Sequence, residues 1–147
     1  MNIYKQKLLL VKDSTFEYDQ IVNNSIIVFD FATNILKIQN EPQELLYLLS
    51  LNTKNQIVSF VELAKGGLNM CALELCEIFK TVFLSNSNKF ILIHNHPSGD
   101  PTPSKNDINF TKKIIESSKI INCNFLDHLV IGDNNFISIM NYINKGV

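Results

Sequence analysis

The chain has 147 residues, 46% of them hydrophobic and 18% charged, with a formal net charge of −1. That length fits one domain with a core of ordinary size, and the composition excludes a disordered or collagen-like chain. All 13 basic residues are lysines. No global field therefore draws the chain to nucleic acid or an anionic membrane, and the side chain best suited to bidentate phosphate or guanine recognition is missing, an absence that an AT-rich genome also produces.

The opening stretch, MNIYKQKLLLVKDSTF, carries an apolar run too short for a signal-peptide core, and nowhere does an apolar run approach a membrane span. Residues 1–20 are expected to form an N-terminal arm and residues 21–147 a domain that is soluble and cytoplasmic. Residues 25–38, SIIVFDFATNILKI, are ambiguous: their β-branched content favours a strand, while their length and Ser25 as an N-cap favour a helix. ELLYLLSL (44–51) and QIVSFVELA (56–64) predict two strands joined at NTKN, and Gly66-Gly67 ends the pattern. LNMCALELCEIFKTVFLSN (68–86) has helical apolar spacing. KFILIH (89–94) is a short apolar run that fits a buried central strand. SKNDINFTKKIIESSK, from Ser104, opens as S-x-x-D and predicts a helix. CNFLDHLVIGD and NFISIM predict two further strands across a GDNN turn. Strands before and after embedded helices indicate an α/β or α+β three-layer domain. Cys71, Cys76 and Cys123 are odd in number and lack CxxC spacing, which suits reduced thiols.

The stretch HNHPSGDPTPSKND (94–107) concentrates the chemistry. In an extended chain, residues i and i+2 project to one face, so His94 and His96 can aim at a single spot. Three prolines stiffen the following loop, and the helix opened at Ser104 places Asp107 one turn inside it. Two neutral imidazoles and one carboxylate form a three-ligand zinc set, one zinc per chain, with a fourth position left for water. Asp107 also has the place of a plain helix cap, and Asp100 that of a turn residue.

This stretch has the form H-x-H, seven residues, S-x-x-D, and it resembles the signature of the JAMM (MPN-plus) metalloproteases. Its wording is similar to that of the RadC-like branch, a group once labelled as bacterial DNA repair proteins. LSLNTKNQIVSFVELAKGGLN resembles the strand pair, glutamate and glycine turn that precede the signature there, and LDHLVIGDNNFISI resembles the closing hairpin. The resemblance covers roughly residues 20 to 147. It implies a cytidine-deaminase-like α/β three-layer sandwich with a central mixed sheet, which favours a helix at 25–38. It implies His94, His96 and Asp107 as zinc ligands and Glu62 as the glutamate that activates water. It also implies Ser104 as the serine that holds the oxyanion of the tetrahedral intermediate. By residue type, Glu74 and Glu77 are alternatives to Glu62, and capping alone would justify Ser104. Asp127-His128 occurs in the family pattern too and reads either as structural or as support for the metal-bound histidines. Where RadC relatives often carry Pro-Arg-Glu, this chain has Leu75, Cys76 and Glu77.

The expected activity is zinc-dependent hydrolysis of a peptide or isopeptide bond in an unidentified protein or peptide substrate. A DNA-associated role is the alternative, although longer relatives carry a helix-hairpin-helix region with no counterpart in these residues. Tight nucleic-acid binding is not expected. The letters HNH do not make an endonuclease motif, because Asn95 points away from both histidines. Deamination is excluded by the lack of an H-x-E…P-C-x-x-C signature.

Overall fold

The computed structural model describes residues 11–66 and 75–146, together with residues 1, 3, 5 and 7. Five strands form one mixed sheet: β1 (Leu45–Leu51), β2 (Ile57–Lys65), β3 (Lys89–Asn95), β4 (Asn124–Ile131) and β5 (Phe136–Ser138), in the spatial order β2-β1-β3-β4-β5. β3 and β4 run parallel, and the other neighbouring pairs are antiparallel. Among the described residues the α-helices are α1 (Ser25–Phe31), α2 (Leu75–Leu84), α3 (Lys105–Ile120) and α4 (Ile139–Asn144).

Side-chain alternation divides the core in two. Leu45, Leu49, Leu51, Ile91, Ile93, Leu129 and Ile131 face α1 and the turns after it, with Tyr47 and Phe60 packed against this layer. Leu46, Leu48, Phe90 and Leu92 face the opposite way, against Ile78 and Val82 of α2 and Phe110 and Ile114 of α3. The expected three-layer α/β sandwich with a mixed sheet is therefore observed. β3 is buried over six of its seven residues, as its uninterrupted apolar run requires when both faces are covered.

Residues 25–38 settle as helix, α1 continuing into a π-helical turn at Ala32–Leu36 and a 3-10 turn at Ile38–Asn40. The cap is one residue earlier than the sequence suggests. Asn24 Oδ1 accepts from the backbone N–H groups of Ile26 and Ile27, while the Ser25 hydroxyl donates to Asp127 at 3.1 Å. The NTKN turn closes the β1–β2 hairpin, with the Asn52 side chain accepting from the backbone of Lys54 and Gln56. α2 begins at Leu75 among the described residues; the expected helical stretch 68–74 lies outside them, as do Cys71 and Glu74.

The sequence reading of 135–140 as a strand is corrected. β5 stops at Ser138, whose hydroxyl accepts from Asn141 N and caps α4, a short helix that apolar alternation alone does not reveal. Residues 11–20 carry no helix or strand, but Phe16 and Tyr18 pack on Phe60 and Phe31 with ring centroids 5.3 and 5.0 Å apart.

Candidate metal centre

The end of β3 and the start of α3 meet on the α2/α3 side of the sheet. His94 follows Phe90 and Leu92 on that face, and Asn95 between the histidines points the other way. There its side chain accepts from Leu45 N at 2.7 Å and donates to Gln43 O at 3.1 Å. This contact fastens the entry to β1 and confirms that Asn95 and His94 serve different faces.

The loop that carries His96 is clamped by the β4–β5 turn. His96 N donates to Ile131 O at 2.9 Å, Gly99 N to His96 O at 2.9 Å, and Asp133 N to Gly99 O at 3.1 Å. Gly99 has φ +81°, and a Cβ there would lie 2.5 Å from the Asp133 carboxylate. A Cβ at Gly132 would collide with the Gly99 carbonyl. Glycine is required at both positions by close approach, and at Gly99 by its left-handed backbone as well. Pro101 and Pro103 are buried beneath the loop.

Asp107 sits in a reciprocal capping box. Ser104 Oγ accepts from Asp107 N at 3.1 Å, and Ser104 N donates to Asp107 Oδ2 at 2.7 Å. The same carboxylate faces both imidazoles: Oδ1 is 3.7 Å from His94 Nε2 and Oδ2 is 3.5 Å from His96 Nε2. The two Nε2 atoms are 3.1 Å apart. His94 and Asp107 are 2% and 4% exposed, and the His96 ring is partly open to solvent.

The donor set fits a divalent cation. Zinc–nitrogen and zinc–oxygen bonds of roughly 2.0–2.2 Å in a tetrahedron place ligand atoms about 3.3–3.5 Å apart, close to the separations found here. His96 Nδ1 lies 2.8 Å from the Asp100 carbonyl oxygen. A carbonyl only accepts, so Nδ1 carries the proton and Nε2 keeps a lone pair directed at the group. Buried lone pairs and a carboxylate in one place call for a proton or a metal between them. His94, His96 and Asp107 are the residues among those described that gather in this way.

Electrostatics agree. Burial by itself would raise the Asp107 carboxyl, but the facing imidazoles of His94 and His96 and the hydrogen bond from Ser104 outweigh it and hold the group well below the usual carboxylate range. The hydrogen bond to Asp107 raises His96 above its ordinary 6.5.

His128 stands behind the centre, with Nε2 2.8 Å from His94 Nδ1 and Nδ1 2.8 Å from Thr111 Oγ1. Its neighbour Asp127 is a structural tie, accepting from Ser25, Ser138 and the backbone N–H of His128. Thr111 escaped the sequence reading. It lies four residues after Asp107, on the same face of α3, and its role depends on a ring that β4 supplies.

Glu62 is not gathered with the other site residues. It stands opposite Tyr47 in the β1–β2 register, and its Oε2 accepts from the Tyr47 hydroxyl at 3.1 Å. Tyr47 belongs to the α1 layer, so this carboxylate looks to the face opposite His94. A bulge at Leu63, between the pairs Leu46–Ala64 and Tyr47–Glu62, sets that orientation. Burial first, then the Glu62 contact, pushes the Tyr47 phenol up to about 12. Glu77 lies on α2, ion-paired with Lys80 on the surface.

A mixed five-stranded sheet between helical layers, with two histidines and an aspartate converging at a strand end and a helix start, defines a JAB-type domain. The chain matches the RadC-like JAB domain over residues 22–145 and belongs to that family. A UPF0758 protein of Clostridium perfringens is 48% identical over 97 residues, covering 66% of this chain and 43% of that protein. One from Clostridium beijerinckii is 43% identical over 122 residues, covering 80% of this chain and 53% of the relative. Another, from Methanosarcina mazei, is 39% identical over 103 residues, covering 70% and 45%. The chain thus aligns with about half the length, or somewhat less, of these curated relatives. Among the described residues, no helix is long and apolar enough to cross a membrane.

Proposed function

We propose that the domain is a zinc-dependent hydrolase that cleaves a peptide or isopeptide bond in a protein substrate. The observation that carries this reading is the spacing of the His94, His96 and Asp107 donor atoms around one point. When bound, zinc supplies a Lewis acid that polarises a carbonyl and lowers the pKa of water from 15.7 to about 7. The two imidazoles and the carboxylate would hold the ion, and substrate would approach from the side where the His96 ring opens to solvent.

Ser104, exposed at the tip of α3, is assigned a second role beside its cap: its hydroxyl donates to the oxyanion that forms on the substrate carbonyl. Glu62 is assigned the proton transfer from water to the leaving amine, on the strength of the resemblance. That role requires its carboxylate to leave Tyr47 and β2 to shift at its bulge. A slip of one residue there exchanges the two faces of the strand.

Metal analysis of the purified protein tests the reading. One zinc per chain is expected, with loss in His94→Ala and His96→Ala, since two protein ligands hold zinc poorly. Stoichiometric zinc in either variant would exclude the site.

A further inference from the structure

We propose that Thr111 and His128 are positioning residues that fix which ring nitrogen of His94 carries its proton, an inference that rests on the metal-site reading above. The hydrogen bonds run in one consistent direction. Thr111 Oγ1 lies 2.7 Å from the backbone carbonyl oxygen of Asp107, one turn earlier in α3, and 2.8 Å from His128 Nδ1. The carbonyl can only accept, so the single hydroxyl proton goes to Asp107 O. The hydroxyl is left to accept from His128, which therefore carries its proton on Nδ1.

His128 is fully buried, and its two ring nitrogens face Thr111 and His94. A second proton would be a buried charge with no compensating carboxylate against the ring, so the ring is neutral. Its Nε2 is therefore bare. That bare nitrogen lies 2.8 Å from His94 Nδ1, so His94 donates from Nδ1 and its own Nε2 keeps a lone pair. This is the atom that faces His96 and Asp107. The Phe110 ring packs across His128 at 70°, centroids 6.2 Å apart, which restrains the imidazole plane. A hydroxyl on α3 thereby selects, through two rings, the His94 tautomer that a cation can use.

Loss of the hydroxyl reverses the chain. In Thr111→Val the buried His128 Nδ1–H has no acceptor, and the ring is favoured as its Nε2–H form. That form donates to His94 Nδ1 and moves the His94 proton to Nε2, where the metal would bind.

Two measurements on the full chain test the proposal: ¹⁵N NMR of the imidazole nitrogens without metal, and zinc titration against a chromophoric chelator. His94 and His128 should both be Nδ1-protonated in the wild type. Thr111→Val should move His94 towards the Nε2–H form and weaken zinc binding about 10–100-fold. Thr111→Ser, which keeps the hydroxyl, should restore both. Wild-type tautomer and affinity in Thr111→Val would overturn the proposal. So would a wild-type spectrum with His94 protonated on Nε2, which decides the matter even if the valine variant does not fold. A wild type that binds no zinc but shows His94 as Nδ1–H would overturn the metal reading while upholding the direction of the hydrogen bonds.

Discussion

Ser104 and Asp107 cap each other at the mouth of α3, side chain to backbone in both directions, at 3.1 and 2.7 Å. One carboxylate thus closes a helix end and faces two imidazoles, so helix geometry and ligand placement are a single constraint. Asp107→Asn should break this double use. An amide has one acceptor oxygen and an NH₂ that cannot ligate, so either the cap or the metal contact is lost. Zinc affinity should fall markedly, with a modest loss of stability. Unchanged zinc content with only a drop in the thermal midpoint would reduce Asp107 to a cap.

Ser104→Ala and Ser104→Gly separate the two roles of the serine. Alanine should cost about 1 kcal/mol of stability and glycine only a few tenths, and both should retain zinc. A fall in hydrolysis in the glycine variant would then report the hydroxyl. Full activity there leaves Ser104 as a cap alone.

Glu62→Gln should keep the fold and the metal, because all three ligands remain. Hydrolysis should fall by about 10²–10⁴-fold if the carboxylate moves the proton. Tyr47 gives a readout that needs no substrate. Its phenol, raised to about 12 chiefly by burial and then by Glu62, should titrate lower in the variant yet still above 10. Loss of zinc would make Glu62 a ligand. Full activity on a verified substrate would leave it as the Tyr47 partner and move the base elsewhere.

The metal-free protein should lose stability as pH rises above 6.5. His96 is raised above 6.5 in the folded state by the Asp107 hydrogen bond. The folded form therefore binds that proton more tightly than the unfolded one. The stabilisation is complete below 6.5 and is lost as pH climbs through the raised value. Asp107 acts in the opposite sense, contributing above its ordinary 3.8 and failing only in strong acid. On the proposed reading zinc would replace the His96 proton and bind better as pH rises. Thermal midpoints from about pH 5 to pH 8 should fall without zinc and hold or rise with it. A flat metal-free profile would remove the His96–Asp107 coupling.

Duplex DNA should bind no more tightly than non-specific contacts allow, with Kd about 10⁻⁴–10⁻⁶ M at physiological salt. The net charge of −1 and a lysine-only basic set give no reason for more. A nanomolar complex in a salt titration would reverse this and favour a DNA-associated role.

The candidate ligand set was legible because it is local. An i, i+2 pair at a strand end and an aspartate thirteen residues on from His94, in the first turn of a capped helix, can be read from spacing. The sheet was legible where alternation or continuous apolarity is strong, as in β1 and β3. α4 was hidden because it is short and its cap, Ser138, also ends a strand. Thr111 was hidden because its role depends on a ring brought from β4, and no pattern in residues 105–120 announces that. The side on which Glu62 lies depends on a single bulge in an edge strand, and periodicity carries no signal for one inserted residue.

The clamp on the His96 loop bears on the order of assembly. All three candidate ligand residues have been synthesised by residue 107, but what aims them arrives later. Thr111 comes with the body of α3, His128 and the Ile131 carbonyl with β4, and the Gly99 contact with the turn at Asp133. A nascent chain that stops before β4 displays the whole signature yet lacks the strand that orients it. On the metal reading proposed above, capture of an ion would wait on the parallel β3–β4 pairing, and a filled site would report that the sheet has closed around it.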